Sequence, residues 1–144
     1  MSYVDALQTT LAAEHAAIFV YGALGAQTSQ SGTPTLYADI DSAYTDHRSR
    51  RDQLVTMVLD EGGEPVAAKP AYDLPADLGT ADLVTRRALL LEKSCAETYA
   101  YLVANSPQEQ RRWAINALVK AAVRELAFRG IPEIFPGSDE YADR

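Results

Sequence analysis

Apolar residues recur at intervals of three and four through four segments of the chain, and runs of alternating β-branched residues are missing. This spacing predicts amphipathic α-helices and an all-α fold. Start and stop signals place the helices at about residues 3–30, 34–62, 81–105 and 107–129. We therefore predict one helical domain over residues 1–130 and a short irregular tail over 131–144.

Capping residues support these boundaries. Ser2 and Thr80 precede the first and third helices, where a hydroxyl can accept a hydrogen bond from a free backbone N–H. Ser106, followed three residues later by Glu109, has the pattern of a capping box. Gly130 follows the fourth helix and is a typical C-terminal stop.

The connection between the second and third helices determines the expected topology. Its 18 residues, 63–80, span roughly 55–60 Å when extended, at about 3.3 Å per residue. A helix of about 27 residues is roughly 40 Å long. The connection can therefore run the length of a bundle and start the third helix parallel to the second. This predicts two antiparallel hairpins joined by a long crossover. For the tail, we separately expect Ile134 and Phe135 to dock on the bundle.

Ionisable residues interrupt the apolar seams of these helices. We use 'seam' for the line of residues that a seven-residue repeat places on the core-facing side of a helix. The seam of the first helix includes Leu11, Glu14 and Ile18, so Glu14 faces the core. In an antiparallel hairpin centred near Gly32, Glu14 lies opposite Arg51. The predicted charged layer comprises Glu14, His47, Arg51, Glu92, Lys120 and Arg124, with Tyr21, Tyr44 and Tyr99 as polar neighbours.

Several short motifs resemble a ferritin-like domain family of unknown function. They match over about residues 3–130 and consist of Glu14-His15-Ala-Ala-Ile with Tyr21-Gly22, His47-Arg48-x-Arg50-Arg51-Asp52, Tyr72-Asp-Leu-Pro75, Leu91-Glu92 followed by Tyr99, and Ala121–Arg124. The resemblance implies a ferritin-like four-helix bundle that pairs as a homodimer. It implies no established activity.

The wider ferritin-like superfamily binds two metal ions through one Glu from each of two helices and Glu-x-x-His from each of the other two. Here Tyr44 and Phe128 stand at two of those positions. Cations in the predicted charged layer would repel metal ions and compete for the same carboxylates. We therefore predict that Glu14 pairs with Arg51, and Glu92 with Lys120 or Arg124, and we expect no cofactor.

Two alternatives remain open at this stage. The first is an iron- or manganese-dependent oxidoreductase or ferroxidase, with Glu14, His47, Glu92 and Glu125 as its metal ligands. The second is a small-molecule binder with a polar cavity lined by Glu14, Tyr21, Tyr44 and His47. No nucleophile motif, phosphate-binding loop or zinc spacing is recognisable, which favours a structural or interaction module over an enzyme.

Composition narrows the choice of partners and location. The 144 residues are 47% hydrophobic, enough for a single core, and carry a formal net charge of −7. This charge argues against nucleic acid and anionic membranes as partners, because both require a concentrated excess of Lys and Arg. One cysteine, Cys95, excludes an intramolecular disulfide, and the N-terminus lacks the pattern of a signal peptide. We expect a soluble, cytoplasmic protein.

Overall fold

The computed structural model describes residues 2–131 and 134–138. Within these residues the chain forms α-helices and no β-strand, so the all-α prediction is confirmed. The helices are α1 (Tyr3–Gly25), α2 (Pro34–Asp60), α3 (Ala81–Asn105) and α4 (Gln108–Arg129). No helix in this part of the chain combines the length and apolarity that crossing a membrane requires.

Capping interactions account for the helix boundaries that agree with the prediction. The Ser2 hydroxyl accepts a hydrogen bond from the Asp5 N–H, and the Asp5 carboxylate accepts one from the Ser2 N–H, which forms a capping box. Thr80 caps α3 through the Leu83 N–H. Gly130 ends α4 with φ of 82°, a left-handed conformation that favours glycine.

Two boundary predictions were wrong. Helix α1 ends at Gly25, five residues before the predicted Gln30, because the N–H groups of Gln27 and Thr28 bond three residues back and form turns instead of helix. The predicted capping box before α4 does not form. Pro107 is the N-cap, and the Ser106 hydroxyl donates to the Leu102 carbonyl at the end of α3.

Contacts between side chains give the helix directions. Gly25 approaches Ile40 and Gly22 approaches Tyr44, so the residue numbers run in opposite senses and α1 and α2 are antiparallel. His47 bonds Glu92, whereas Arg50, further along α2, bonds Tyr99, further along α3. Helices α2 and α3 are therefore parallel.

The α3–α4 hairpin is antiparallel to match. Two contacts with α2 show this. Arg124 bonds Asp46 near the middle of α2. Trp113, which precedes Arg124 on α4, bonds Gln53, which follows Asp46 on α2. With α2 and α3 parallel, α4 therefore runs against α3. The predicted pair of antiparallel hairpins joined by a long crossover is confirmed.

The crossover runs along α1. The Gln8 side-chain amide donates to the Glu64 carbonyl at 2.6 Å and accepts from the Val66 N–H at 2.9 Å. About two turns later on α1, His15 Nε2 lies 3.0 Å from the Val66 carbonyl oxygen. These bonds provide hydrogen-bond partners for backbone groups of the crossover, which forms neither helix nor strand.

The apolar core consists of two clusters at different heights in the bundle. One is built on Val20, Leu24, Ile40, Val84 and Leu91. The other is built on Leu7, Leu11, Leu54, Val58 and Leu102. The polar side chains described below lie between them.

The tail approaches α3 through a glycine. Ile134 and Phe135, expected to dock on the bundle, remain 75% and 68% exposed. Gly137 is instead so close to α3 that a Cβ atom there would lie 2.9 Å from the Ala96 carbonyl oxygen. The final acidic residues of the tail lie outside the described residues.

Candidate functional site

Two glutamates face one another inside the bundle. Glu14 of α1 and Glu92 of α3 are 1% and 0% exposed, in positions where their helices bury apolar residues on either side. Charged carboxylates at such depth are destabilising unless cations and hydrogen bonds compensate them.

The imidazole ring of His47 lies between these carboxylates. Its Nδ1 is 2.6 Å from Glu14 Oε2, and its Nε2 is 3.0 Å from Glu92 Oε1. The ring also stacks on Tyr21, with centroids 5.2 Å apart. Because ionised carboxylates only accept hydrogen bonds, both ring nitrogens donate and His47 is an imidazolium ion.

The surroundings of His47 affect its pKa in opposite directions. Burial is the largest single effect and favours the neutral ring, which lowers the pKa. The hydrogen bonds and negative charges of Glu14 and Glu92 outweigh burial and raise the pKa from 6.5 to about 9. Burial acts to raise the pKa of Glu92, but the hydrogen bond and charge of His47, the bond from Tyr21 and the charge of Arg124 together lower it.

Two tyrosines also donate hydrogen bonds to the carboxylates. Tyr21 donates to Glu92 Oε1 at 2.6 Å, and Tyr99 donates to Glu14 Oε1. Burial, with the adjacent glutamate adding to it, raises the pKa of each hydroxyl well above 10. Both tyrosines are therefore held as neutral donors.

Arg50 joins this arrangement from the second helix. Its Nη1 donates to the Tyr99 hydroxyl at 3.1 Å, and its guanidinium lies 5.3 Å from the centroid of the Tyr99 ring. The side chain is 5% exposed. We call the connected set Glu14, Tyr21, His47, Arg50, Glu92 and Tyr99 the buried network.

The charges of the buried network balance. Two carboxylates, Glu14 and Glu92, are matched by the cations His47 and Arg50. Arg124 adds a cation 3.8 Å from Glu92 Oε1, and its other terminal nitrogen bonds the Asp46 carboxylate at 2.7 Å. Neutrality limits the electrostatic penalty of placing so many ionised groups at the bundle centre.

Arg51 and Lys120 do not belong to this centre, and their predicted positions were wrong. The Arg51 side chain is 29% exposed and pairs with the neighbouring Asp52 at 2.7 Å. Lys120 is exposed on α4. Glu14 accordingly pairs with His47, and among the predicted partners of Glu92 only Arg124 approaches it.

The error on α2 has a definite geometric cause. Ile40, His47 and Leu54 are seven residues apart, and a seam through them can include either Tyr44 with Arg51 or Ala43 with Arg50. The apolar ring of Tyr44 favoured the first choice. In the structure Ala43 and Arg50 are buried, whereas Tyr44 is half-buried, with Arg48 lying 5.5 Å from its ring centroid.

Helix α4 is rotated by about one residue from the predicted orientation. Its buried stripe is Ala114, Ala117, Ala121 and Glu125. The small alanines let α4 approach α3 closely, which turns Lys120 towards solvent. A seam of small residues gives a weak hydrophobic signal, so the sequence pattern did not indicate this stripe.

The four predicted metal ligands are all buried. Glu14, His47 and Glu92 are in contact, whereas Glu125 accepts a hydrogen bond from Arg129 at 3.1 Å. In the described part of the chain, no group of three or more His, Cys, Asp and Glu residues has an arrangement that could hold a metal ion. The predicted polar cavity is likewise closed by its own side chains, because Glu14, Tyr21 and His47 are fully buried and bonded within the buried network.

Comparisons with known proteins extend over nearly the whole chain. The fold is similar to the crystal structure of a conserved hypothetical protein, rv2844, from Mycobacterium tuberculosis, with a TM-score of 0.79 and 28% sequence identity. That similarity covers 88% of this chain and 93% of the other. No curated protein matches the sequence. The family described as a domain of unknown function, DUF4439, matches residues 6–140, and the chain belongs to this family.

Proposed function

We propose that this protein is a ferritin-like bundle whose centre holds the buried network in place of two metal ions, and that it acts as a structural or interaction module. The observation that carries the proposal is the position of His47. Its protonated ring lies between Glu14 and Glu92 and donates to both carboxylates. Three of the four oxygens of these two carboxylates accept hydrogen bonds from His47, Tyr21 or Tyr99. Glu92 Oε2 is the one without a donor among the described residues.

The donor set fits a di-metal centre poorly. Such a centre uses four carboxylates and two histidines. Tyr44 stands where α2 would supply a carboxylate, and Phe128 stands where α4 would supply a histidine. A divalent ion between Glu14 and Glu92 would have to displace an imidazolium ring and remain close to Arg50. Repulsion between these cations and the metal disfavours binding.

Metal analysis tests this part of the proposal. We expect protein purified from cells grown with added iron and manganese to contain far less than one metal ion per chain. The same protein should show no rise in melting temperature on addition of Mn²⁺, because an ion that does not bind the folded state cannot stabilise it.

The opposite result would favour the metal-dependent oxidoreductase or ferroxidase. It would consist of near-stoichiometric metal that is lost in the Glu14→Ala/Glu92→Ala variant. Glu97→Ala is the matched control, because Glu97 is an exposed glutamate on α3. Metal retained in this control but lost in the double variant would locate the ion between the two buried carboxylates.

Helix α4 offers the surface for self-association. Ile115, Val119 and Val123 follow one another at four-residue spacing and are 44%, 54% and 63% exposed, and Leu126, 39% exposed, continues the same face. A continuous apolar stripe on one helix face is typical of an interaction surface. We propose that a second copy of the chain covers this stripe in a homodimer.

Light scattering tests the dimer. We expect the wild-type protein to have twice the mass of the chain, and Val123→Glu to have the monomer mass, because the carboxylate would be desolvated at the interface. Leu90→Glu on α3 is the control, since Leu90 is 53% exposed outside the stripe. A monomeric wild-type protein, or equal masses for the two variants, would refute this interface.

A further inference from the structure

We propose that the groove between the crossover and the α1–α2 hairpin binds a small planar aromatic anion, meaning a ring system that carries a phosphate or carboxylate. This crossover groove has a volume of about 390 Å³, within the range of small-molecule sites. The side chains that matter for its chemistry are Phe19 and Gly22 of α1, Tyr44 and Arg51 of α2, and Lys69 and Tyr72 of the crossover.

The aromatic rings form two walls of the groove. Phe19 and Tyr72 contact each other with centroids 5.5 Å apart and planes inclined at 54°. Tyr44 lies beside Gly22, where even a Cβ atom would sit 3.8 Å from the ring. Gly22 and Tyr44 both line the groove. A flat ligand in the groove can therefore contact the aromatic rings of Phe19, Tyr44 and Tyr72.

Cations gather around the same rings. Arg51 and Lys69 line the groove, and the guanidinium of Arg48 lies 5.5 Å from the centroid of Tyr44. Asp52 neutralises Arg51, whereas Lys69 forms no ion pair among the described residues. This local excess of positive charge contrasts with the net charge of −7 of the whole chain.

Together these features select the ligand. An aromatic ring would stack on Tyr44, and its phosphate or carboxylate would accept hydrogen bonds from Lys69 and the neighbouring guanidinium groups. A purely apolar ligand would leave the cations without partners, and a simple inorganic anion would leave the rings uncovered. The crossover groove shares no side chain with the buried network, so the inference is independent of the proposal on metals.

Matched pairs of flavin and adenine compounds test this inference. FMN and AMP are planar aromatic anions, and riboflavin and adenosine are their counterparts without the phosphate. We expect FMN or AMP to bind saturably at low ionic strength, with the uncharged counterpart at least about tenfold weaker, because hydrogen bonds to a charged group are lost. Flavin fluorescence anisotropy and calorimetry measure the affinities.

Two variants connect the binding to the groove. Lys69→Gln should weaken binding of the phosphate compound about tenfold while leaving the uncharged compound unchanged. Arg86→Gln, at an exposed arginine on α3, should leave both affinities unchanged. Lys69 is exposed, so its substitution should not change the melting temperature.

The inference would be overturned by any of three results. The first is the failure of both FMN and AMP to bind saturably up to millimolar concentration. The second is equal affinity for the charged compound and its uncharged counterpart. The third is an affinity that Lys69→Gln and Arg86→Gln leave equally unchanged.

Discussion

The Glu14→Ala substitution should lower the free energy of unfolding by about 3–5 kcal/mol, the cost of breaking a buried ion pair by removing one partner. Glu14 is the acceptor for both His47 and Tyr99. Without it, the buried network retains two cations and only one carboxylate. Since a whole domain is stabilised by about 5–15 kcal/mol, this single change should remove a large part of the total.

Urea denaturation followed by circular dichroism measures the effect. Glu97→Ala removes the same atoms from an exposed position on α3 and should change stability by less than about 0.5 kcal/mol. If the two variants were equally stable, the carboxylate of Glu14 would contribute nothing to the fold. Glu14 would then not serve as the buried counterion of His47.

Stability should also decrease in alkaline solution because His47 loses its proton. In the unfolded chain this ring titrates near its ordinary pKa of 6.5, whereas in the fold its pKa is about 9. The folded state holds the proton more tightly, so the contribution is fully present below pH 6.5. It declines as the pH rises and is lost above about pH 9.

The expected size follows from the difference between the two pKa values. At 1.36 kcal/mol for each pH unit, the loss between pH 6.5 and 9 amounts to about 3 kcal/mol. Tyr21 and Tyr99 do not confuse the measurement, because burial keeps their pKa values well above 10. The decline should therefore belong to the imidazolium of His47.

Unfolding free energies measured at half-unit pH intervals test this prediction. The His47→Gln variant should be less stable than the wild type near neutral pH and should lack the decline between pH 6.5 and 9. An equal decline in both proteins would assign the titration to another group.

At acidic pH the lowered pKa of Glu92 has the opposite effect on stability. The contribution of the Glu92 carboxylate is lost as the pH falls through that pKa.

Local sequence patterns were sufficient for the architecture. Helix periodicity, the capping box at Ser2 and the stop at Gly130 are interactions between residues close in the chain, and their geometry does not depend on distant contacts. The length of the crossover permitted α2 and α3 to run parallel, and the contacts between them show that they do. The predictions failed where a helix end depended on competing turns, as at Gly25.

The buried network was only partly predictable. Glu14 and Glu92 could be recognised because a carboxylate in an apolar helical seam is costly and rare. Arg50 could not, because it adjoins Arg51 and a basic doublet is typical of a solvated helix face. Arg50 lies seven residues after Ala43 and about one turn after His47. This spacing is the sequence signal that would have indicated the burial of Arg50.

The sequence by itself determined the number of helices, the order of the two hairpins and the presence of two carboxylates in the core. Only the tertiary structure decided which cations reach those carboxylates. The physical reason is that a seven-residue repeat admits two seams that share one line of residues, and the residues that complete each seam differ by about 100° around the helix. The choice between them depends on how closely the other helices approach, and small residues such as Ala43 and Ala117 set that distance.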